Sequence, residues 1–389
     1  MTHKKSAEKQ PPSTLKKPSS SAGFWQVFWY KISFWTVKHK FWQKLTPGLI
    51  ALVLFTTGSM YAVAQWYIDQ NKNIPLQTGA TFIPDYARYF GLDPKETMRA
   101  TLEDLGIKRI RLVSYWENHE PEPGVYNFDE LDWQFDMAES YGAKVSLSIG
   151  LRQPRWPECH KPDWAAKLVG NEWRQPLYDY MTIVVNRYKD RPSLDSYQLE
   201  NEYFLSVFGI CDDFDRDRLV YEYELVKKLD PNTTLIVSRS NNAVPSWPVG
   251  SPRADQVGAA IYKRVWDKTI TRRYFEYPVP AWYYAFLAGM TKITTGRETF
   301  IHELQTEAWT PDSFGGTRES PISEQYKSMN ATMLKDRIAY GKATGMRAID
   351  MWGVEWWYWL KTVKNEPAIW DTAKSELQKI NQENQNLNQ

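Results

Sequence analysis

The stretch Pro176–Glu202, PLYDYMTIVVNRYKDRPSLDSYQLENE, reads as one helix followed by one strand. Apolar residues recur at helical spacing through Lys189, and a compact strand follows at Ser196–Leu199. This strand runs directly into three polar residues, Glu200, Asn201 and Glu202. A helix that returns to a short strand with polar residues at its end is typical of one unit of a parallel α/β fold.

The same alternation extends along the chain and gives eight candidate strands. They are Gly79–Ile83, Arg109–Ser114, Lys144–Ile149, Ser196–Leu199, Thr234–Ser238, Val257–Tyr262, Thr299–Glu303 and Ala348–Met351. Predicted helices between them are Pro94–Leu105, Asp129–Tyr141, Pro176–Lys189, Asp215–Leu229 and Ile322–Tyr340. The segment after the fifth strand contains too many Pro and Gly residues for a good helix. Eight units without a second domain favour a closed (β/α)8 TIM barrel over an open doubly wound sheet.

The N-terminal part of the chain predicts a membrane anchor. Residues 47–68 are apolar, carry no charge and are long enough to cross a hydrocarbon layer of roughly 30 Å. Residues 1–46 are basic and aromatic, whereas Asp69 follows the apolar run, so the N-terminus is expected in the cytoplasm. A transmembrane helix therefore precedes the barrel in a single-pass protein of the cell membrane. The alternative is cleavage at the signal-peptidase-like sequence Ala62-Val63-Ala64.

The expected organisation beyond the anchor is a linker at 69–77, a barrel outside the cytoplasmic membrane at 78–365, and a last helix with a polar tail at 366–389. The Asn/Gln-rich end, KINQENQNLNQ, has no evident apolar stripe and is expected to be disordered. The formal net charge is only +2, which argues against nucleic acid as a partner. Oligomeric state is not indicated.

The chain has two cysteines, and both fall in loops of the predicted barrel. Cys159 follows the third strand and Cys211 follows the fourth. Because these loops are adjacent on the same face, a disulfide is expected in an oxidising compartment, and two unrelated thiols are the alternative.

Strand ends also carry the candidate catalytic groups, since active sites of (β/α)8 barrels lie at the C-terminal ends of the strands. Glu202 ends the fourth strand and Glu303 ends the seventh, which lies opposite. Retaining glycoside hydrolysis needs two carboxyl groups about 5 to 5.5 Å apart. Glu307, four residues after Glu303, is the alternative nucleophile or a substrate-binding residue. The alternative for any one of these acids, taken alone, is that it forms an ion pair at the protein surface and has no catalytic role.

The segment Tyr197–Tyr203, YQLENEY, resembles the strand-four signature of the large clan of retaining (β/α)8 glycosidases that includes β-galactosidases and cellulases. The resemblance spans Thr78–Leu360 and identifies no specific family. It implies that Glu202 is the general acid/base, that Asn201 holds the sugar 2-hydroxyl and that Glu303 is the nucleophile.

The resemblance also assigns supporting residues on other strands. Arg111 would orient the nucleophile, Tyr262 would touch it, and Trp352 would form an aromatic floor under the cleaved sugar. It implies a saccharide substrate and no metal or organic cofactor. His302-Glu303 does not begin a zinc-binding helix, because Thr306 stands where a second histidine would be needed.

Aromatic residues make up 15% of the chain, with 19 tryptophans. Several of them follow predicted strands and are either sugar platforms or packing residues. These are Tyr115, Trp116, Trp156 and the pair Trp356-Trp357.

The sequence thus predicts a retaining glycoside hydrolase that acts on a β-linked glycan outside the cytoplasmic membrane by double displacement. A transglycosylase with the same site is one alternative. A catalytically inactive, membrane-anchored carbohydrate-binding or scaffold barrel is another. The sequence does not indicate which sugar or linkage is recognised.

Overall fold

The structure is a computed structural model that describes residues 24–38, 40–203, 205, 208–211, 214–240 and 253–387. The chain forms two compact units, Met1–Ala62 and Val63–Gln389. The described part of the first unit is helical and belongs to α1 (Phe24–Lys38) and α2 (Lys40–Asn71). Within α2, Thr46–Asn71 is the one helix of the described residues that is long and apolar enough to span a membrane by length and composition.

The second unit is built on a closed barrel of eight parallel strands. The strands of the chain are β1 (Gln77–Thr81), β2 (Arg109–Val113), β3 (Lys144–Ile149), β4 (Leu194–Leu199), β5 (Thr234–Ser240), β6 (Gln256–Ile261), β7 (Arg264–Asp267), β8 (Arg273–Glu276), β9 (Glu298–Gln305) and β10 (Ala348–Trp352). The barrel order is β1-β10-β9-β6-β5-β4-β3-β2, and β7 pairs with β8 in a separate antiparallel hairpin. All eight predicted barrel strands are confirmed, whereas the hairpin was not foreseen.

Helices connect the strands on the outside of the barrel. They are α3 (Pro84–Tyr89), α4 (Pro94–Glu103), α5 (Trp116–His119), α6 (Asp129–Ser140), α7 (Asp163–Ala166), α8 (Arg174–Tyr188), α9 (Arg216–Leu229), α10 (Ala281–Thr295), α11 (Ile322–Gln325), α12 (Ala331–Ala343), α13 (Val354–Thr362) and α14 (Ala368–Leu387). A 3-10 turn lies at Asp312–Phe314. The segment 241–252, between β5 and β6, lies outside the described residues.

The prediction of one continuous helix over Ile322–Tyr340 was wrong. The structure divides it into α11 and α12, because Asn330 has an extended backbone and caps the second helix. Its side-chain Oδ1 accepts a hydrogen bond from the backbone N–H of Met333 at 3.0 Å. An Asn that satisfies a free N–H of the first helical turn is a strong helix start.

The prediction of a disordered C-terminal end was also wrong, because α14 continues to Leu387. Its buried residues recur at helical spacing and form the apolar stripe that the sequence did not make evident. They are Ile369, Trp370, Ala373, Leu377 and Ile380. The Asn384 side chain also bonds the backbone of Leu76 just before β1, at 2.8 Å in both directions. The polar C-terminal segment is therefore part of the folded barrel unit.

The predicted linker at 69–77 begins inside a helix, because α2 ends only at Asn71. The last turns of α2, from Val63, belong to the barrel unit. Ala64 and Tyr67 are buried there, and the Tyr67 hydroxyl donates to the backbone carbonyl of Thr299 at 3.3 Å. Strand β1 begins at Gln77, one residue before the predicted barrel boundary.

Candidate active site

Glu303 lies near the end of β9 and receives two hydrogen bonds from other strands. Arg111, on β2, donates from Nη2 to Glu303 Oε1 at 2.8 Å. Tyr262, directly after β6, donates its hydroxyl to Glu303 Oε2 at 2.7 Å. Glu303 is only 4% exposed, so these donors replace solvent around the carboxylate. Both contacts stabilise a negative charge on this group.

Arg111 is itself fixed on three sides. Its Nε donates to Thr81 Oγ1 on β1 at 2.8 Å, and its Nη1 donates to Gln198 Oε1 on β4 at 3.1 Å. The side chain is fully buried. A guanidinium that is held by Thr81 and Gln198 presents its Nη2 to Glu303 in one orientation.

Glu202 follows the end of β4 and meets a different environment. Its backbone is left-handed, with φ 42°, and its N–H donates to Ser238 Oγ on β5 at 2.9 Å. The side chain is buried, and Oε1 has no hydrogen-bond partner among the described residues. Burial, and next the negative charges of Glu303 and Glu158, raise the pKa of Glu202 well above its ordinary value. Glu202 therefore keeps its proton under conditions in which an exposed glutamate loses it.

Asn201 is buried beside Glu202, and its side chain is oriented from both ends. Gln198 donates from Nε2 to Asn201 Oδ1 at 2.8 Å. Asn201 donates from Nδ2 to Glu158 Oε2 at 3.0 Å. Gln198 therefore contacts both Arg111 and Asn201. It lies on β4, inside the quoted strand-four motif, and a polar residue in a buried strand that ends at the candidate site is the signal that could have identified it.

Glu158 is a third buried carboxyl in this region that the sequence did not indicate. It is 3% exposed and lies in the loop after β3, with Arg152 Nη2 at 3.6 Å from its Oε2. Burial raises the pKa of Glu158 to about 7; the positive charge of Arg152 and the Asn201 hydrogen bond oppose this effect, whereas the charge of Glu303 adds to it. Irregular loop backbone positions this residue, so no period in the sequence marks it.

The other acid of the motif, Glu200, has a structural role. Its carboxylate accepts the backbone N–H groups of Leu151 and Arg152 at 2.6 and 2.9 Å, and Arg218 donates to it at 2.9 Å. The carboxylate also lies against Gly150, where a Cβ would approach Glu200 Oε1 to 2.4 Å. Glycine at position 150, with φ 103°, is therefore needed to pack β3 against β4.

Glu307 belongs to a separate group of contacts. Tyr86 donates its hydroxyl to Glu307 Oε1, and Arg155 donates from Nη2 to Glu307 Oε2 at 2.8 Å. The Arg155 guanidinium carbon lies 3.2 Å from the Tyr86 ring centroid and 4.5 Å from that of Trp352. Trp352 is 8% exposed, so Arg155 covers part of the expected aromatic floor.

Most of the candidate sugar platforms are packing residues. Trp116, Trp356 and Trp357 are fully buried, and Tyr115 is 5% exposed. The Tyr115 ring stacks on His160 with centroids 3.5 Å apart, and its hydroxyl donates to the Pro154 carbonyl at 2.6 Å. The platform interpretation was therefore wrong for these four residues, because core and loop contacts occupy their surfaces.

Trp156 differs, because 55% of it is exposed. Its ring meets Phe208 edge-on at 5.9 Å, and Trp309 lies 6.3 Å from Phe208 and 5.7 Å from Tyr262. These aromatic rings run from the exposed loop to the tyrosine that contacts Glu303. Trp309, three residues after Thr306, was not identified from the sequence.

A disulfide joins Cys159 to Cys211, with their Cα atoms 5.5 Å apart. The loops after β3 and β4 also share backbone contacts, including Ile210 N–H to the Pro157 carbonyl at 2.9 Å. Among the described residues, no group of three or more His, Cys, Asp or Glu side chains is arranged to hold a metal. His302 instead pairs with Asp350 inside the barrel at 2.8 Å.

No family model matches the chain. A GH5_18 structure from Streptomyces cattleya in complex with GlcNAc is 15% identical, covers 72% of this chain and 70% of its own, and has a TM-score of 0.52. GH5_18 from Bifidobacterium longum subsp. longum is 10% identical over 71% of this chain and 69% of its own, with a TM-score of 0.50.

Gan42B, a GH42 β-galactosidase from G. stearothermophilus, is 13% identical over 71% of this chain, with a TM-score of 0.48. The match covers 50% of that enzyme's length. The solved structures that match this chain thus include GH5 and GH42 glycoside hydrolases. The likeness to the GH5_18 structures shows that this chain shares their (β/α)8 barrel fold.

Proposed function

We propose that this protein is a retaining glycoside hydrolase that cleaves a β-linked glycoside, with Glu303 as nucleophile and Glu202 as general acid/base. The observation that carries the proposal is the unequal environment of the two carboxyl groups. Glu303 accepts hydrogen bonds from Arg111 and Tyr262, whereas Glu202 is buried with a strongly raised pKa. Two carboxyl groups whose environments separate their protonation states are what acid-assisted nucleophilic attack needs.

In the first step, a Glu303 oxygen attacks the anomeric carbon while the glycosidic C–O bond breaks, and the Glu202 proton moves to the leaving oxygen. In the second step, the Glu202 carboxylate takes a proton from water. The resulting hydroxide equivalent attacks the anomeric carbon and displaces Glu303. An acceptor sugar in place of water gives transglycosylation by the same residues.

Glu303 is favoured over Glu307 by their contacts. Arg111 and Tyr262, the residues expected to orient the nucleophile, both bond Glu303. Glu307 lies beyond the end of β9 and is bonded by Tyr86 and Arg155. We assign Glu307 to the substrate-binding wall, where it holds the Arg155 guanidinium beside Trp352.

We further propose that α2 anchors the barrel to the outer side of the cytoplasmic membrane. Its large apolar side chains are exposed, including Leu54 at 68% and Phe55 at 76%, which suits contact with lipid. The basic residues that precede the span support a cytoplasmic N-terminus. The Cys159–Cys211 disulfide suits an oxidising compartment for the barrel.

The test uses the purified full chain in detergent with 2,4-dinitrophenyl 2-deoxy-2-fluoro-β-glycosides of glucose, mannose and galactose. The 2-fluorine slows the second step, so the covalent intermediate accumulates. Mass spectrometry of digested protein is expected to find one sugar on the peptide that carries Glu303. A label on Glu307 would reverse the nucleophile assignment. Inversion of anomeric configuration, measured by NMR of products from unmodified glycosides, would contradict retention.

The neighbouring GH5_18 structures guide the choice of natural substrates to include. One of them, from Streptomyces cattleya, holds Manβ1-4GlcNAc. Manβ1-4GlcNAc and other β-linked disaccharides therefore belong in the panel. Binding to these disaccharides without any turnover or label would favour the inactive carbohydrate-binding barrel.

A further inference from the structure

Glu158 is a buried carboxyl that takes no part in the proposed proton transfers, yet it contacts the signature motif directly. Its Oε2 accepts the hydrogen bond of Asn201 Nδ2 at 3.0 Å. Asn201 immediately precedes Glu202 and is 2% exposed. When Glu158 is ionised, its carboxylate makes this hydrogen bond stronger than one between neutral groups.

The backbone around Glu158 is held on both sides. Its N–H donates to the Arg155 carbonyl at 2.8 Å, and its carbonyl accepts the N–H of Gln153 at 2.8 Å. The next residue, Cys159, is bonded to Cys211. On the facing loop, Gly209 lies so close that an added Cβ would be 2.9 Å from the Glu158 Cβ. The Glu158 side chain therefore has little freedom to move away from Asn201.

The opposite end of the Asn201 amide is fixed by residues of β4 and β5. Its Oδ1 accepts from Gln198 Nε2 at 2.8 Å and from Ser238 Oγ at 3.4 Å. An amide nitrogen carries two hydrogens, and Glu158 accepts one of them. The second hydrogen of Asn201 Nδ2 is then directed by the same contacts that fix the amide plane.

A continuous set of hydrogen bonds links these groups to the proposed nucleophile. Gln198 Oε1 accepts from Arg111 Nη1 at 3.1 Å, and Arg111 donates to Glu303 at 2.8 Å. Glu158 thus lies at one end of a series of hydrogen bonds that includes Asn201 and Arg111. Displacement of Glu158 removes one of the contacts that hold Asn201, whereas Arg111 keeps its bonds to Thr81 and Glu303.

We propose that Glu158 is a positioning residue that turns the Asn201 amide so that its second N–H is presented to an oxygen on carbon 2 of the sugar. The inference rests on the proposed glycosidase function. Because Glu158 acts through Asn201, loss of the Glu158 side chain is expected to lower activity only on substrates that carry that oxygen.

The experiment compares two probes, the 4-nitrophenyl β-glycoside that the wild-type full chain hydrolyses best and its 2-deoxy counterpart. Glu158→Ala is expected to lower kcat/KM on the 2-hydroxy substrate about 10- to 100-fold, the effect of one hydrogen bond to a charged group. On the 2-deoxy substrate the loss is expected to be under about 3-fold. Glu158→Gln keeps an acceptor oxygen without the charge and is expected to restore part of the activity.

Asn201→Ala is expected to show the same dependence on the 2-hydroxyl, and the double variant Glu158→Ala/Asn201→Ala to lose nothing further, because both act through one contact. Glu122→Gln is the matched control, since this carboxylate lies in an exposed loop. Circular dichroism and thermal unfolding verify that each variant folds. If Glu158→Ala does not fold, Glu158→Asp shortens the side chain by one methylene, keeps the charge and is expected to show the same selective loss.

Equal losses on the two probes, or wild-type activity in Glu158→Ala, would overturn the positioning role while leaving the glycosidase proposal intact. Failure of the wild-type chain to hydrolyse any probe would instead contradict the proposed function. Additive losses in the double variant would show that Glu158 acts independently of Asn201.

Discussion

At the scale of single residues, the site depends on how each carboxyl group is surrounded. Glu303 has two donors from separate strands, and Glu202 has a buried oxygen without a partner among the described residues. The charge of Glu303 also raises the pKa of Glu202. The protonation of Glu202 therefore depends on the charge of Glu303.

Replacement of Glu202 by alanine removes the proposed acid and base. Hydrolysis of aryl glycosides with poor leaving groups is expected to fall about 10²- to 10⁴-fold in kcat/KM. Dinitrophenyl glycosides need little protonation and are expected to retain most of their first-step rate. Azide should restore turnover and give a β-glycosyl azide, identified by NMR. Equal losses for good and poor leaving groups would contradict the role of Glu202.

Replacement of Glu303 by glutamine removes a negative charge beside Glu202. The pKa of Glu202 is raised by burial first and by this charge second, so it is expected to fall in Glu303→Gln but to stay above that of an exposed glutamate. The measurement is a pH titration by NMR with carbon-13-labelled glutamate, and Glu202→Gln identifies the resonance. An unchanged Glu202 pKa would show that the two groups are not coupled.

At the scale of elements, the strands and the loops that follow them contribute different residues to the site. The strands place Arg111, Gln198 and Glu303 across the barrel interior, where they bond one another. The loop after β3 adds Glu158 and is fastened by the Cys159–Cys211 disulfide. Helices on the outside pack against the barrel strands.

Helix α14 is expected to contribute to stability despite its polar composition. Leu377 is 2% exposed within its buried stripe, and Leu377→Ala is expected to lower the free energy of unfolding by about 2 to 4 kcal/mol. Gln378→Ala, next to it on the exposed face, serves as the control. Both are measured by urea unfolding. Equal stability of the two variants would show that α14 does not pack on the barrel in solution.

At the scale of the whole molecule, the chain combines a helical N-terminal unit with a barrel unit that begins at Val63. The barrel unit keeps the last turns of α2, in which Ala64 and Tyr67 are buried. Removal of residues 1–62 therefore leaves these contacts in place.

Full-length protein is expected in the membrane fraction and to resist extraction by alkaline carbonate, because the apolar span partitions into lipid. A variant that begins at Val63 is expected in the soluble fraction, with kcat/KM unchanged within about a factor of two. Immunoblots of fractionated cells and assays of the purified forms check both expectations. Release of the full-length chain by carbonate would contradict the anchor.

Stability of the whole barrel is expected to fall as pH rises. Burial raises the pKa of both Glu158 and Glu355 to about 7 in the folded state, whereas glutamate in an unfolded chain titrates near 4.3. The folded state therefore binds more protons between these values. The stabilisation is complete below about pH 4 and is lost as pH rises through 7, by at most about 4 kcal/mol for each carboxyl at pH 8.

Urea unfolding of the variant that begins at Val63, at pH 5 and pH 8, measures this loss. Glu158→Gln/Glu355→Gln is expected to reduce the difference between the two pH values, because neither side chain then titrates. Glu122→Gln, in an exposed loop, is the control. If the double variant loses as much stability as the wild type, these carboxyls do not titrate as stated.

The sequence by itself determined the barrel and the residues at its strand ends. The spacing of apolar residues that predicts strands and helices is a local property of the sequence. The C-terminal ends of barrel strands meet at one face, and this rule by itself places Glu202 and Glu303 on that face. The roles of Arg111 and Tyr262 were instead implied by the resemblance to the glycosidase clan, and the structure shows both side chains bonded to Glu303.

Only the tertiary structure decided which side chains are covered and which loop residues reach the site. Trp356 and Trp357 follow a strand end as platform residues would, yet core packing buries them. Glu158 contacts Asn201 from a loop whose sequence has no regular apolar spacing. The adjacent disulfide and the close approach of Gly209 hold that loop in place. Burial and loop geometry depend on contacts between segments distant in sequence, and local patterns do not encode them.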